Sequence, residues 1–450
     1  MIILKYETDS RKIKPGQIFV AIKGHTVDGH DFIQDAIKNG ASKVIAEHEV
    51  DCNIPLEVVP NTEEYLKEQL KNEYADEINK LKIIGLTGTN GKTTTAYLTY
   101  QLLNLFKEKT AYIGTIGFKA PNDEIETENT TPDTLTIYSL LLHALEIGCK
   151  TVVMEVSSHA LSFERIYGLH IDIAAFTNLT EDHLDYHKTM ENYLNAKLKI
   201  FDYMNESGKL IVNNDDNASK AFVNKFGSGI KLGYNNTEND YNILKTEINP
   251  AETKIKFTYK NETYNVTTNL TSKFNVYNYM TSLAILHECG YKIEDIIDKT
   301  KEIKAPKGRC ETHKVNGGYA VIDYAHTPDA VEKVITAYNE LKKGKLVIRK
   351  LDSSNGNVIS NVEFVIMKDN EVIYEGVTNE YGEIEINNLP LGIYIIKEVR
   401  ASNGYILNED EIEVSLDSEV KYIEIFNIPD TEVRIVDIIM FFEEKKKLLV

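Results

Sequence analysis

The residues Thr87-Gly88-Thr89-Asn90-Gly91-Lys92-Thr93-Thr94 carry the plainest chemistry in the chain. Glycines let backbone N–H groups close around phosphate oxygens. A helix starting just behind such a loop adds partial positive charge at its first turn. Lys92 is then placed to reach the β- and γ-phosphates of a nucleotide, and the Thr93 hydroxyl suits Mg2+. The ordinary alternative is a chance glycine turn before a helix. Context argues against it: Lys82–Leu86 reads as a short apolar strand and Thr93–Phe106 as a helix, the setting a phosphate loop requires. The spacing departs from the commonest phosphate loop, with two residues between Gly88 and Gly91.

Four further groups have types and spacings that suggest chemistry. Glu155 closes the apolar run Thr151–Val156, and a carboxylate at the carboxyl end of a parallel strand sits where open α/β sheets bind ligands. A solvated strand-end acid is the plainer reading. His183 and His187 are four apart and could share a helix face, a spacing also used by zinc peptidases. Leu184 occupies the position of the general-base Glu in those enzymes, so zinc hydrolysis is unsupported. Lys197 is four residues from both Tyr193 and Phe201, on an apolar helix stripe that Lys199 does not share. An ammonium there is costly unless paired or neutralised. Spacing alone leaves two readings open, a lysine whose head snorkels to water and one that is chemically altered. Near the C-terminus, period-2 spacing puts Lys350 on a face with Ile348, Glu398 with Tyr394 and Ile396, and Asn427 with Ile423 and Ile425. Amines and carboxyls kept from water favour their uncharged forms, giving a nucleophile and a proton donor beside an amide. A strand ion pair plus an end-capping Asn is the alternative.

The elements that must position these groups alternate along the first part of the chain. Strands are predicted at Ile18–Ile22, Ser42–Ala46, Lys82–Leu86, Thr151–Val156 and Ile171–Phe176. Helices are predicted at Asp31–Asn39, Thr62–Lys80 and Thr93–Phe106. The apolar strands suit a buried parallel sheet with helices on both faces, an α/β fold. A strand near Tyr319–Tyr324 leads to a helix with Pro328 in its first turn, on which Val331, Val334, Ile335, Tyr338 and Leu341 recur at helical spacing. After about Val347 helical periodicity vanishes. Val362, Phe364, Ile366, Ile384 and Ile386 alternate with other residues between turn signals, an all-β sandwich pattern. The final stretch, 431–450, is apolar then Lys-rich and suggests no role.

With 450 residues the chain is long enough for about three domains. Fifty Lys and Arg against 69 Asp and Glu give a net charge of −19, which disfavours nucleic acid and anionic membrane as partners. The four cysteines form no CxxC pair, so a zinc ribbon or redox motif is unsupported and packed, reduced thiols are expected. No signal-peptide core begins the chain and no apolar run is long enough to span a bilayer, so a cytoplasmic location is expected.

The loop TGTNGKT resembles the Mur ligase superfamily, which also includes folylpolyglutamate synthases. The resemblance recurs in order over residues 9 to about 347: DSRKIKPGQIFVAIKGHTVDGHDFI (9–33), NTTPD (129–133), MEVSSHAL (154–161), FTNLTEDHLDYH (176–187), AKLKIF (196–201), FNVYN (274–278), GRCE (308–311) and DYAHTPD (323–329). It looks nearest to the branch that adds the third peptide residue to a UDP-N-acetylmuramoyl dipeptide. The resemblance implies a UDP-substrate-binding domain at 1–80, a central ATP-binding domain at 81–306 and the start of a Rossmann-like C-terminal domain at 307–347. It implies that Ser10 and the segment around His25–Val27 face the UDP end of the substrate, and that Asn129, Thr130, Thr131, Ser157 and Arg165 bind its body. It further implies two Mg2+ ions, one on Glu155 and a second on His183, that Lys197 is carbamylated to an N6-carboxylysine that helps hold the second, and that Asn278, Arg309 and Asp323 meet ATP. The implied reaction phosphorylates the D-glutamyl γ-carboxylate with ATP; a diamino acid, diaminopimelate or lysine, then displaces phosphate. One departure is Ser272, near a position where the family often has glycine.

Two further departures bear on activity. The chain begins closer to DSR than family members do. Where the family's third domain continues, this sequence reads IRKLDSSNGNV. Residues 348–430 instead resemble a collagen-adhesin B-type, prealbumin-like domain through IRKLD (348–352), VEFVI (362–366), TNEYG (378–382), LPLGIYIIKEV (389–399) and IEIFNIP (423–429). Such domains can join a Lys to an Asn through an isopeptide bond under a buried acid, here implied for Lys350, Asn427 and Glu398. The leading expectation is a monomeric peptidoglycan ligase whose full turnover is in question. The others are a non-enzymatic isopeptide-stabilised adhesion module and a related ligase with another substrate.

Overall fold

The apolar run ahead of the phosphate loop forms the strand Lys82–Thr87, and the helix Lys92–Leu105 follows it. In this computed structural model, residues 2–430 are described except 25–26, 316–317, 326–327, 340–342 and 418–419. His25 and Thr26 of the expected UDP-facing segment, His326 and Thr327 of the DYAHTPD run, and the tail 431–450 lie outside the described residues. The chain divides into two compact units, Met1–Tyr324 and Ala325–Val450.

In the first unit, four short parallel strands, Tyr6–Glu7, Ile18–Val20, Lys43–Ala46 and Leu56–Val58, form one sheet. The helix Thr62–Ile78 starts where the Asn61 side chain accepts hydrogen bonds from the N–H groups of Glu63 and Glu64, a side-chain cap reinforced by acids in the first turn. Its Leu66, Leu70 and Ile78 are buried.

An eleven-stranded sheet follows. At its centre Lys82–Thr87 lies between Thr151–Glu155 and Ile171–Phe176, parallel to both. Ile83, Ile84, Leu86, Val152, Val153, Ala175 and Phe176 are fully buried, as both-face coverage requires of a parallel sheet. Antiparallel strands extend it at each end. From the central strand the chain crosses to Thr110–Gly114 on one side, comes back to Thr151–Glu155, and then crosses to Ile171–Phe176 on the other side, so the carboxyl ends of these strands open at a topological switch point, where such sheets bind ligands.

The second unit carries two facing sheets. The strand Lys343–Asp352 pairs antiparallel with Glu383–Pro390 and parallel with Val420–Asn427. Glu363–Lys368, Glu371–Val377, Gly392–Arg400 and Glu411–Leu416 form the other sheet, antiparallel throughout. The alternating Val362, Phe364, Ile366, Ile384 and Ile386 all point into one core with Tyr394 and Ile396. The expected boundary between 347 and 348 falls inside the strand Lys343–Asp352. The helix Pro328–Asn339 forms as its spacing predicts, but Val331 and Ile335 of its apolar stripe are exposed.

Candidate active site

The phosphate loop owes its shape to two glycines. Gly88 has φ +145° and Gly91 φ +86°, conformations that cost L-residues dearly. A Cβ on Gly88 would collide with the Thr177 hydroxyl, and one on Gly91 with the Asn278 amide oxygen. Neighbouring segments clamp the loop. Thr89 N–H donates to the Asn178 carbonyl, Asn90 N–H to Asn178 Oδ1, and Thr177 Oγ1 to the Asn90 carbonyl at 2.7 Å. The Asn90 side chain donates to Thr180 Oγ1. Gly91 is the N-cap of the helix Lys92–Leu105 and no side chain caps it, so its first-turn N–H groups lack intrahelical partners and remain open to an anion. Thr87 is buried there with its hydroxyl unpartnered among the described residues.

Three candidate site side chains, Lys92, Lys197 and Glu155, meet at this loop. Lys92 Nζ donates to the carbonyls of Gly88 at 2.9 Å and Thr89 at 2.7 Å. Burial pushes its pKa down, opposed by the charges of Glu155 and Asp182. Lys197 Nζ donates to the same Gly88 carbonyl at 2.8 Å. It sits on the helix Met190–Leu198, only 1% exposed, with Nζ 4.4 Å from the centre of the Tyr193 ring. Burial first, then the nearby Lys92 charge, hold its amine well below the ordinary lysine range. Lys199 is exposed, as the stripe predicts. Glu155 is fully buried at the end of its strand. Its Oε2 accepts from Thr93 Oγ1 at 2.9 Å and Thr115 Oγ1 at 3.3 Å, and its Oε1 from Tyr112 Oη and the Thr115 N–H.

This donor set of carboxylate and hydroxyl oxygens fits a hard cation such as Mg2+, which ordinarily takes one or two carboxylates and completes its shell with phosphate and water. Among the described residues no three His, Cys, Asp or Glu side chains cluster as a metal site by themselves.

The histidines are arranged differently from the sequence expectation. His183 is not on a helix face with His187. It precedes the helix Leu184–His187 in a left-handed conformation, φ 54°. The sharp turn nonetheless brings both rings to His159, with centroids 4.9 Å away for His183 and 5.4 Å for His187. His187 is buried on the Ser158 hydroxyl at 3.0 Å, and burial lowers its pKa. His183 is half-exposed beside Asp182, its ring 6.1 Å from that of Tyr193.

Next to Glu155, Thr131 Oγ1 donates to the Glu155 carbonyl and accepts from the Ser157 N–H, and Arg165 donates to the Thr131 carbonyl at 2.8 Å. Thr130 meets Thr115 through their hydroxyls. Thr130, Thr131, Ser157 and Arg165 therefore line one flank of the loop. Asn129 accepts, through its carbonyl, from the Thr127 hydroxyl. Ser10 lies apart, in the N-terminal sheet region, where its carbonyl takes the Asn39 amide. On the other flank Asn278 joins Thr95 and Asn275. Arg309 stacks on Tyr324, and its charge reaches Lys92. Asp323 accepts from the Cys310 N–H at 2.8 Å. Tyr112, Thr115, Thr177, Asn178 and Tyr193 had no assigned role in the sequence, since each acts through a partner distant along the chain.

Ser272 directly precedes the helix Lys273–Glu288 that carries Asn275 and Asn278. Its φ of 82° and ψ of 149° fall in a region all but reserved for glycine, and its buried hydroxyl has no partner among the described residues. Ser272→Gly removes both penalties against a smaller entropic cost. It is expected to stabilise the first unit by about 1–2 kcal/mol, read as a melting transition raised by roughly 2–6 °C.

Residues 86–286 match the Mur ligase middle domain, 5–82 match the Mur ligase family catalytic domain, and 344–429 match the prealbumin-like fold domain. The chain is 38% identical over 351 residues to the UDP-N-acetylmuramoyl-L-alanyl-D-glutamate–2,6-diaminopimelate ligase of Bacillus cereus, covering 76% of this chain and 71% of that one. It is 38% identical over 340 residues to the ligase of the same name from Aquifex aeolicus, covering 75% and 70%. A solved structure of a ligase of that name superposes with a TM-score of 0.65 at 28% identity, over 77% of this chain and 72% of the other. A MurF ligase from Thermotoga maritima in complex with ADP shares the fold, with a TM-score of 0.57 at 22% identity over 78% and 77%.

Proposed function

This chain belongs to the Mur ligase family of ATP-dependent, amide-forming ligases, and on that premise we propose that its first unit joins a diamino acid to UDP-N-acetylmuramoyl-L-alanyl-D-glutamate in peptidoglycan synthesis. The observation that carries this reading is the convergence of Lys92, Lys197 and the Thr93–Glu155 pair on one phosphate loop. The substrate's γ-carboxylate attacks the γ-phosphoryl group of ATP, ADP leaves, and an acyl phosphate results. The amine of diaminopimelate or lysine then attacks the carbonyl carbon and phosphate leaves. Little covalent chemistry falls to the protein, which aligns groups and offsets charge. The loop N–H groups and Lys92 hold the phosphates, while Arg165, Thr130, Thr131 and Ser157 orient the peptidyl end. Thr93, Glu155, His183 and a carbamylated Lys197 would hold Mg2+, which supplies positive charge to the phosphoryl oxygens. Asn278, Arg309 and Asp323 flank the nucleotide. Ser10 and the segment 25–27 take the UDP end, and Asn129 supports the substrate loop.

The domain division we propose is UDP-side residues 1–80, ATP-binding residues 81–306 and a ligase-type segment from 307, with the β-sandwich starting at the strand Lys343–Asp352 rather than at 348 and running to 430. We take the chain as a cytoplasmic monomer, and the charge of −19 disfavours nucleic acid and anionic membrane as partners. The test is phosphate release from ATP with UDP-N-acetylmuramoyl-L-alanyl-D-glutamate. Release is expected only when diaminopimelate or lysine is added, and the amino acid that triggers it identifies the acceptor. Release indifferent to both, with no new amide by mass, would refute the ligase reading.

The second unit supports a separate chemistry, an intramolecular Lys350–Asn427 isopeptide bond. Lys350, Glu398 and Asn427 are all buried. One carboxylate bridges the other two: Lys350 Nζ lies 2.7 Å from Glu398 Oε2, and Asn427 Nδ2 donates to Glu398 Oε1 at 2.7 Å. The Lys350 contact lacks hydrogen-bond alignment, and Asn427 Oδ1 has no donor among the described residues. Burial lowers the Lys350 pKa, against the pull of Glu398. Nζ attacks the Asn427 side-chain carbonyl carbon, the C–Nδ2 bond breaks, and Glu398 relays a proton from the amine to the departing ammonia. Intact mass is expected to be short by one ammonia, and full mass would reject the bond.

A further inference from the structure

Glu155 has two oxygens with different surroundings. Oε2 meets Thr93 and Thr115 hydroxyls, on the side of the phosphate loop. Oε1 is turned away from it and held by two donors, the Tyr112 phenol at 2.5 Å and the Thr115 N–H at 2.9 Å. Tyr112 is fully buried on the strand Thr110–Gly114, its ring packed edge-on against the stacked pair Tyr97 and Tyr100 of the helix behind the loop. The space for this phenol–carboxylate pair exists because residue 114 is glycine. A Cβ there would collide with both Tyr112 Oη and Glu155 Oε1. Gly114 has no left-handed backbone angle to explain it, so the room it leaves is its structural contribution.

We infer that Tyr112 is a positioning residue for the metal site: its hydroxyl pins Glu155 Oε1 so that Oε2 alone is presented, beside Thr93, to the Mg2+ that accompanies ATP. The inference rests on the metal reading given under the proposed function. A buried carboxylate free to rotate about its last bond could offer either oxygen or both. Two donors on Oε1 remove that freedom before the cation arrives, and Tyr97 and Tyr100 keep the phenol from following the carboxylate. Tyr112 itself does not touch the metal or the nucleotide.

The experiment uses the full chain and ATP as the probe. ATP affinity is measured by calorimetry across a Mg2+ titration and again in EDTA, and the electron paramagnetic resonance spectrum of Mn2+ with ATP reports the coordination directly. Tyr112→Phe removes one oxygen and leaves the ring packing. The Mg2+ concentration that half-saturates the tight ATP state is expected to rise about tenfold, the usual scale for losing a hydrogen bond to a charged group. ATP affinity in EDTA should stay at the wild-type value, and the Mn2+ spectrum should broaden. Gly114→Ala displaces the same pair and should give a similar rise, with little added by Tyr112→Phe in the double variant. A general loss of structure would instead weaken ATP binding with and without metal. If Tyr112→Phe follows the wild-type Mg2+ titration, the inference is overturned while the metal reading stands. If wild-type ATP binding ignores Mg2+, both fall together.

Discussion

Lys197→Ala is expected to lower diamino-acid-dependent ATP turnover by about 10²- to 10³-fold, the scale of removing one preorganised charge from an active site. The physical case is a competition between forms of one buried amine. Stacking over Tyr193 favours the ammonium by about 0.5–2 kcal/mol. Burial opposes it and is the larger influence, and Lys92, donating to the same Gly88 carbonyl, adds like-charge repulsion. Burial is the largest of these influences and lowers the pKa, so more of this amine is free base than in an ordinary lysine. A neutral amine attacks CO2, forming an N–C bond and releasing one proton. The product anion beside Lys92 turns repulsion into attraction. Protein equilibrated with ¹³C-bicarbonate should therefore show one slowly exchanging carbamate carbon by NMR, absent in Lys197→Ala. The signal should persist at pH 7–8 and fade in acid, as protonation withdraws the free base. A wild-type spectrum without that carbon would end the carbamate reading, whatever the turnover of the variant.

Much of this arrangement was readable from local pattern. The strand, glycine loop and helix at 82–105 declared themselves because glycine conformation, strand and helix are all local properties. Lys197 stood out because a lysine on an apolar stripe contradicts its own helix. What local pattern could not supply was anything set by a partner elsewhere. The spacing of His183 and His187 suggested one helix face, yet the rings converge because His183 takes a left-handed angle just before the helix. The grip of Tyr112 on Glu155 joins two strands through space vacated by Gly114. Likewise the change of texture near Val347 was visible, but not that Lys343–Asp352 is one strand, since residues on both sides of the junction read as extended. The stripe on Pro328–Asn339 shows a related limit: periodicity tells which face is apolar, not that a neighbour covers it, and Val331 and Ile335 are exposed.

In the β-sandwich, Lys350→Met combined with Glu398→Gln is expected to lower stability by about 4–5 kcal/mol, the loop-closure value for a cross-link spanning on the order of 80 residues. The sign separates two accounts of the same contacts. Were Lys350 and Glu398 only a buried ion pair, replacing both by uncharged groups of similar size would be neutral or stabilising, because their desolvation cost rivals their attraction. Gln at 398 still offers an oxygen to the Asn427 amide, so that buried group keeps a partner. A large loss from the double substitution therefore has one source, the missing covalent link. Glu398→Ala alone is a poorer probe, since it strands the buried Lys350 amine and costs about 3–5 kcal/mol whether or not a bond forms. Urea unfolding followed at the aromatic residues of this unit, paired with intact mass for each variant, decides it. A double variant as stable as wild type would leave Lys350, Glu398 and Asn427 as an ordinary buried polar cluster.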